Sequence, residues 1–171
     1  MIAISSVIGN IFQDKELADH FEKIQKTMTC EILKFSRSEL DKTRFRKQTD
    51  KGTDIGCILD SEKKLQNGDV LYSNPEKFIV IEQIPEKVIS IKIKKIKANS
   101  KEILIKLGHI IGNRHRPIQI EKNGEIIFPI LSDSELDTFK NLFSEILEHL
   151  EIKVEERIFE PKNGIGVHVH G

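Results

Sequence analysis

Ser132-Asp133-Ser134-Glu135-Leu136-Asp137-Thr138-Phe139-Lys140-Asn141-Leu142-Phe143, continuing through Ser144-Glu145-Ile146-Leu147-Glu148-His149-Leu150, is the stretch on which the fold reading turns. Ser132 and Glu135 stand in the capping-box relation, in which a hydroxyl and a carboxylate satisfy the free N–H groups at a helix start. Leu136, Phe139, Phe143, Ile146, Leu147 and Leu150 then recur at helical spacing, with acids and lysines between them. The pattern predicts one amphipathic helix running to about Leu150. Directly after it, Ile152–Ile158 alternates apolar and charged residues, as a half-buried strand does.

Upstream, Ile118–Glu121 and Glu125–Ile130 flank Asn123-Gly124, a two-residue hairpin signal. Further upstream, Asn99-Ser100-Lys101-Glu102 resembles a second capping box. Ile103, Leu104, Leu107, Ile110 and Ile111 follow it as an apolar stripe, and Gly112-Asn113 end it, since both tolerate the left-handed conformation of a helix C-terminus. Val88–Ile93 reads as a strand with Ile89, Ile91 and Ile93 on one face. Strand, helix, strand, strand, helix, strand is the split βαβ, or ferredoxin-like, order.

Before Pro85 the rhythm differs. Ile2, Ile4 and Ile8 suggest a first strand, and short apolar runs follow at Cys30–Phe35, Thr53–Leu59, Val70–Tyr72 and Phe78–Ile84, separated by Lys51-Gly52 and Asn67-Gly68-Asp69. Leu17, Phe21 and Ile24 predict a helix over 14–26. The expected fold is therefore α+β: an N-terminal β-rich small barrel or sandwich domain over 1–84, a ferredoxin-like βαββαβ domain over 85–158, and a flexible tail over 159–171.

With 171 residues, 38% hydrophobic and 32% charged, the chain has the composition of a soluble globular protein. Its 27 basic and 27 acidic residues cancel and are interleaved, which argues against a nucleic-acid partner or a polybasic membrane contact. The apolar start is too short to span a bilayer and has no signal-peptide pattern. Cys30 and Cys57 form no CxxC, fit a reducing cytoplasm and read as small apolar fillers. No GxSxG, HExxH or P-loop motif is present, so an enzyme is the least supported class. Arg37, Lys42, Arg44, Arg46 and Lys47 form a basic cluster that reads as a solvated strand edge.

Among six histidines, His115 closes the densest cluster, His109 to His115, at the first helix's end. His168 and His170 lie two apart in the tail, so an extended chain would present both imidazoles to one side and to one metal ion. His109, in the helix's last turn, is a further candidate, whose other reading is a charge on the carbonyl end of the helix. His20 and His149 fall in Lys/Glu-rich helical patterns and read as solvated.

Gly112-Asn113-Arg114-His115 resembles the urease accessory protein UreE family, the nickel metallochaperones of urease maturation. So do Arg46-Lys47-Gln48-Thr49-Asp50-Lys51-Gly52-Thr53-Asp54-Ile55, Leu65-Gln66-Asn67-Gly68-Asp69-Val70-Leu71 and Phe159-Glu160-Pro161, all in the family's order across about 28–170. The resemblance implies a peptide-binding-like N-terminal domain and a ferredoxin-like metal-binding domain. It further implies a homodimer in which His115 of both protomers binds one nickel ion, with His168 and His170 completing or covering the site. Ni(II) is the implied cargo, and the implied partners are the urease apoprotein and accessory proteins including a GTPase. Where many members carry a histidine or carboxylate two residues before the glycine, this chain has Ile110, with His109 one residue further out.

Imidazole suits nickel, yet affinity order alone favours copper and discriminates poorly against zinc, so Zn(II) and Cu(II) are competitors. Binding requires neutral imidazole, and nickel affinity is expected to fall as pH drops through about 6.5, the ordinary histidine value. Two other readings are a peptide- or protein-binding chaperone module without metal transfer, and a small-molecule-binding regulator on a ferredoxin-like domain, because fold does not fix function.

Overall fold

Runs of β-branched and aromatic residues punctuated by glycine turns fill the N-terminal half, and there the chain folds mainly as strands. A computed structural model describes residues 1–60, 64–94 and 100–161. The chain divides into two compact units, Met1–Ile84 and Pro85 onward. The first holds β1 (Ile2–Ile4), β2 (Gly9–Asn10), α1 (Lys15–Ile24), β3 (Cys30–Phe35), the single-turn α2 (Arg37–Leu40), β4 (Arg44–Gln48), β5 (Asp54–Ile58), β6 (Asp69–Ser73) and β7 (Phe78–Gln83).

These strands make two sheets, ordered β1-β5-β4 and β2-β6-β7-β3. Ile4, Ile55 and Cys57 from the first meet Leu33, Phe35, Leu71, Ile79 and Ile81 from the second in one buried cluster. Two sheets thus share a core, and no closed barrel forms among the described residues, which corrects the barrel half of the expectation. Among the described residues, β1 and β4 end their sheet with no further strand paired to them, so it stays open. On the far side of the larger sheet, Leu17, Phe21 and Ile24 of α1 cover Val70, Phe78 and Val80. Asp14 caps that helix, accepting from the N–H groups of Glu16 (2.9 Å) and Leu17 (3.2 Å).

The second unit runs β8 (Glu86–Ile93), α3 (Ser100–Asn113), β9 (Gln119–Ile120), β10 (Ile126–Pro129), α4 (Ser134–Leu142), a 3-10 turn at Leu147–His149 and β11 (Leu150–Arg157). Its sheet is ordered β11-β8-β10-β9 with every neighbouring pair antiparallel. Ile89, Ile91, Ile126 and Phe128 meet Ile103, Leu107 and Ile111 of α3 and Phe139 of α4 in its core. The Asn99 half of the capping box at the start of α3 lies outside the described residues.

Three local expectations change. The second helix stops at Leu142, well short of Leu150. Phe143 and Ile146 still reach the core, but through successive turns, because Leu150 must open β11 opposite Ile93. The β9–β10 loop has three residues, not two: Gly124 N–H donates to Glu121 C=O (2.9 Å), Glu121 N–H to Glu125 C=O (2.9 Å), and only Gly124, at φ 81°, is left-handed. Phe159, where the sequence suggests a tail begins, is 1% exposed against Val88 and Ile127 on the sheet's helix-free face.

Candidate functional site

Helix α3 is held by Ile103, Leu107 and Ile111, spaced by four and buried at 0–4% exposure. That stripe carries the helix through Gly112 and Asn113, so neither residue takes the left-handed conformation expected of it. His115 takes it instead, at φ 51°. Its N–H donates to Gly112 C=O (2.9 Å) and the Arg116 N–H to Ile111 C=O (3.5 Å), the paired bonds of a Schellman turn. Glycine usually fills that position; a side chain there costs of the order of 1 kcal/mol. The imidazole is exposed.

One residue on, Arg116 Nη2 donates to both carboxylate oxygens of Glu135, each at 2.8 Å, with both side chains 22% exposed. Sequence reading gave Glu135 to a capping box with Ser132. The structure gives it to Arg116, because a full positive charge is a stronger partner for the carboxylate than a backbone N–H. Asp133 takes the N-cap position without a side-chain cap bond, its carboxylate held by Lys87 at 2.9 Å.

His109 Nε2 lies 3.0 Å from Asn113 Nδ2, one helical turn away. Asn113 is therefore a hydrogen-bond partner for that ring nitrogen. His20 stacks edge-on against Phe78 at 5.3 Å, and half-buried His149 lies 3.5 Å from Glu148. His168 and His170 lie outside the described residues. Among those residues, no three histidine, cysteine or carboxylate side chains converge as a metal cage.

The exposed side of α3 is also informative. Leu104 is 47% and Ile105 72% exposed, and a Cβ added to Gly108 or Gly112 would meet no atom within 4 Å. Leu104 is therefore not part of the buried stripe. Ile105, Gly108, His109 and Gly112 share one face at i, i+3, i+4 and i+7. The run Ile103-Leu104-Ile105, wider than one stripe needs, was the available signal for it.

In the other unit the quoted motifs build turns. Arg46 grips Asp54 across the β4–β5 hairpin at 2.8 Å, and Lys47 pairs with Glu39 at 2.9 Å. Asn10 Nδ2 donates to Asp69 Oδ1 (2.8 Å), while Gly68, at φ 85°, lies under the Phe12 ring. Burial pushes the Cys57 thiol up to about 11 and raises Cys30 as well, so neither offers a thiolate at neutral pH.

The UreE urease accessory protein N-terminal domain model matches residues 4–83. The urease accessory protein UreE of Yersinia aldovae is 35% identical over 136 residues, covering 76% of this chain and 57% of that protein. The same-named protein of Bacillus sp. strain TB-90 is 32% identical, with 72% of this chain and 74% of that protein covered. That of Yersinia rohdei is 30% identical, with 99% and 81% covered. The chain thus spans under two thirds of the Yersinia aldovae protein and about four fifths of the Yersinia rohdei one.

The relatives define this α+β chain as an accessory protein rather than an enzyme. Its turn motifs, its exposed histidine turn and these likenesses meet in one assignment. The chain belongs to the UreE urease accessory protein family. Among the described residues, no helix is long and apolar enough to cross a membrane.

Proposed function

We propose that this protein is a nickel carrier for urease assembly, acting in the cytoplasm as a homodimer whose two His115 imidazoles share one Ni(II). The observation that carries the reading is the exposed His115 at φ 51°, an imidazole in a conformation that glycine would adopt at lower cost. Residues held in sparsely populated backbone conformations cluster at functional sites. The exposed α3 face of Leu104, Ile105, Gly108 and Gly112 supports the dimer, since its two glycines would let a second helix approach closely and they answer no packing need within the protomer. The sheet order β11-β8-β10-β9 with two helices on one face supports a ferredoxin-like metal-binding domain.

In this reading His168 and His170 supply tail ligands that leave one by one during transfer. His109 stays outside the set, its Nε2 hydrogen-bonded to Asn113 within its own helix. Zn(II) and Cu(II) compete for the same imidazoles. The recipients are the urease apoprotein and its accessory proteins, a GTPase among them. Calorimetric nickel titration of the wild-type chain and His115→Ala tests the reading: the variant should lose the tight site, and unchanged affinity and stoichiometry would refute it.

A second reading has its own observation. Met1, Ala3, Phe45, Gly56 and Ile58 line an apolar depression on the β1-β5-β4 sheet, suited to an extended peptide. Capture of a urease subunit that survives chelation of all metal would favour this module over the carrier.

A further inference from the structure

We propose that Arg116 and Glu135 form a positioning pair that holds the backbone of His115 left-handed and so aims its imidazole; this rests on His115 being the nickel ligand. On the upstream side, Ile111 is fully buried and the α3 backbone cannot shift without disturbing the core. Between that anchor and His115 stand two turn hydrogen bonds, of which the one from Arg116 N–H is long at 3.5 Å. Those bonds alone hold a strained residue loosely. The downstream side must supply the rest.

It does so through Arg116. Pro117 restricts the residue before it to extended backbone, so Arg116 leaves the turn in one direction only. The Nη2 atom then donates to both oxygens of Glu135 in the first turn of α4, and Ile118 packs on the core just beyond. The Glu135 carboxylate also accepts from Leu131 N–H at 3.4 Å, tying in the loop that leads into α4. His115 is thereby bracketed between two fixed helices.

The pair is not arranged for the best ion-pair stability. Arg116 Nε is buried and has no hydrogen-bond partner among the described residues, a cost that a freely placed surface ion pair would avoid. The guanidinium accepts that cost and keeps both Nη2 contacts, which fixes a direction. In metal sites, outer partners that orient a ligand typically change affinity by about 10- to 100-fold when removed.

The test uses the full chain with two readouts: the strong intraresidue amide-to-Hα NOE that marks positive φ at His115, and calorimetric nickel affinity. Glu135→Ala should lose the NOE signature and weaken nickel binding by about tenfold. The exchange Arg116→Glu with Glu135→Arg should recover part of both. If Glu135→Ala does not fold, Glu135→Gln, which keeps shape and loses charge, carries the same expectations. Either single variant keeping the positive φ at His115, or losing it with nickel affinity unchanged, overturns the proposal. His115→Ala serves as the control: if it binds nickel like wild type, the ligand reading fails, while the NOE at His115 still reports whether the pair sets the turn.

Discussion

Two turns bracket the short strand β9, and each depends on a single left-handed residue. At the β9–β10 hairpin the residue is Gly124, φ 81°; at the end of α3 it is His115, φ 51°. Gly52 and Gly68 solve turns of the first unit in the same way as Gly124. Where chain reversal is all that is required, the protein uses glycine, which reaches this conformation without steric cost. At the one described turn that carries an imidazole on its left-handed residue, it accepts strain. The difference separates a turn explained by chain reversal alone from the turn that carries the ligand we propose.

The largest effect should fall on nickel. His115→Ala is expected to weaken binding by at least about 100-fold, since the proposed shared site would lose its ligand from both protomers, whereas Gly124→Ala should leave the calorimetric affinity unchanged. Equal nickel loss in the two variants would break the contrast. On stability the order reverses: denaturant unfolding should show Gly124→Ala destabilised by about 1 kcal/mol, because a Cβ is forced into the left-handed region. A sharper comparison uses one position twice. His115→Gly should stabilise the fold by about 0.5 to 1 kcal/mol through relief of that strain, while losing nickel as fully as His115→Ala does.

The smallest effect lies in the first unit and should be independent of nickel. Hydrogen bonding by the Ser36 backbone N–H and by Lys47 holds the Glu39 carboxyl at about 2, below its ordinary value of 4.5. A depressed carboxyl contributes stability that is complete above the unfolded value and is lost as pH falls toward the folded one. Glu39→Gln should therefore flatten the decline of unfolding midpoint between about pH 4.5 and 2, with no change in metal affinity at neutral pH.

Much of the architecture was legible because period and punctuation agree. Ile89, Ile91 and Ile93 alternate as a strand must, Leu17, Phe21 and Ile24 repeat as a helix must, and glycine marks the turns at Gly52, Gly68 and Gly124. The misreadings arose where a distant partner outweighed a local rule. Glu135 sits at capping-box spacing from Ser132 yet answers the charge of Arg116, nineteen residues away in sequence. Leu147 and Leu150 continue the helical phase of α4, but pairing with β8 draws Leu150 into a strand.

The candidate histidine could be picked out from the sequence, but the geometry of its turn could not. His115 stood out by company and resemblance, but Gly112 and Asn113 looked the better left-handed residues. Only the burial of Ile111 explains why the helix passes through them. Arg116 carried no signal of its own, since nothing in a sequence tells which of many carboxylates an arginine will meet.

The most direct test of the account is a crystal structure of the nickel-loaded protein with anomalous scattering measured at the nickel edge. The account predicts a single strong peak between two protomers, with an imidazole nitrogen of His115 from each in its coordination shell. A nickel ion held within one protomer, or bound away from His115, would contradict it.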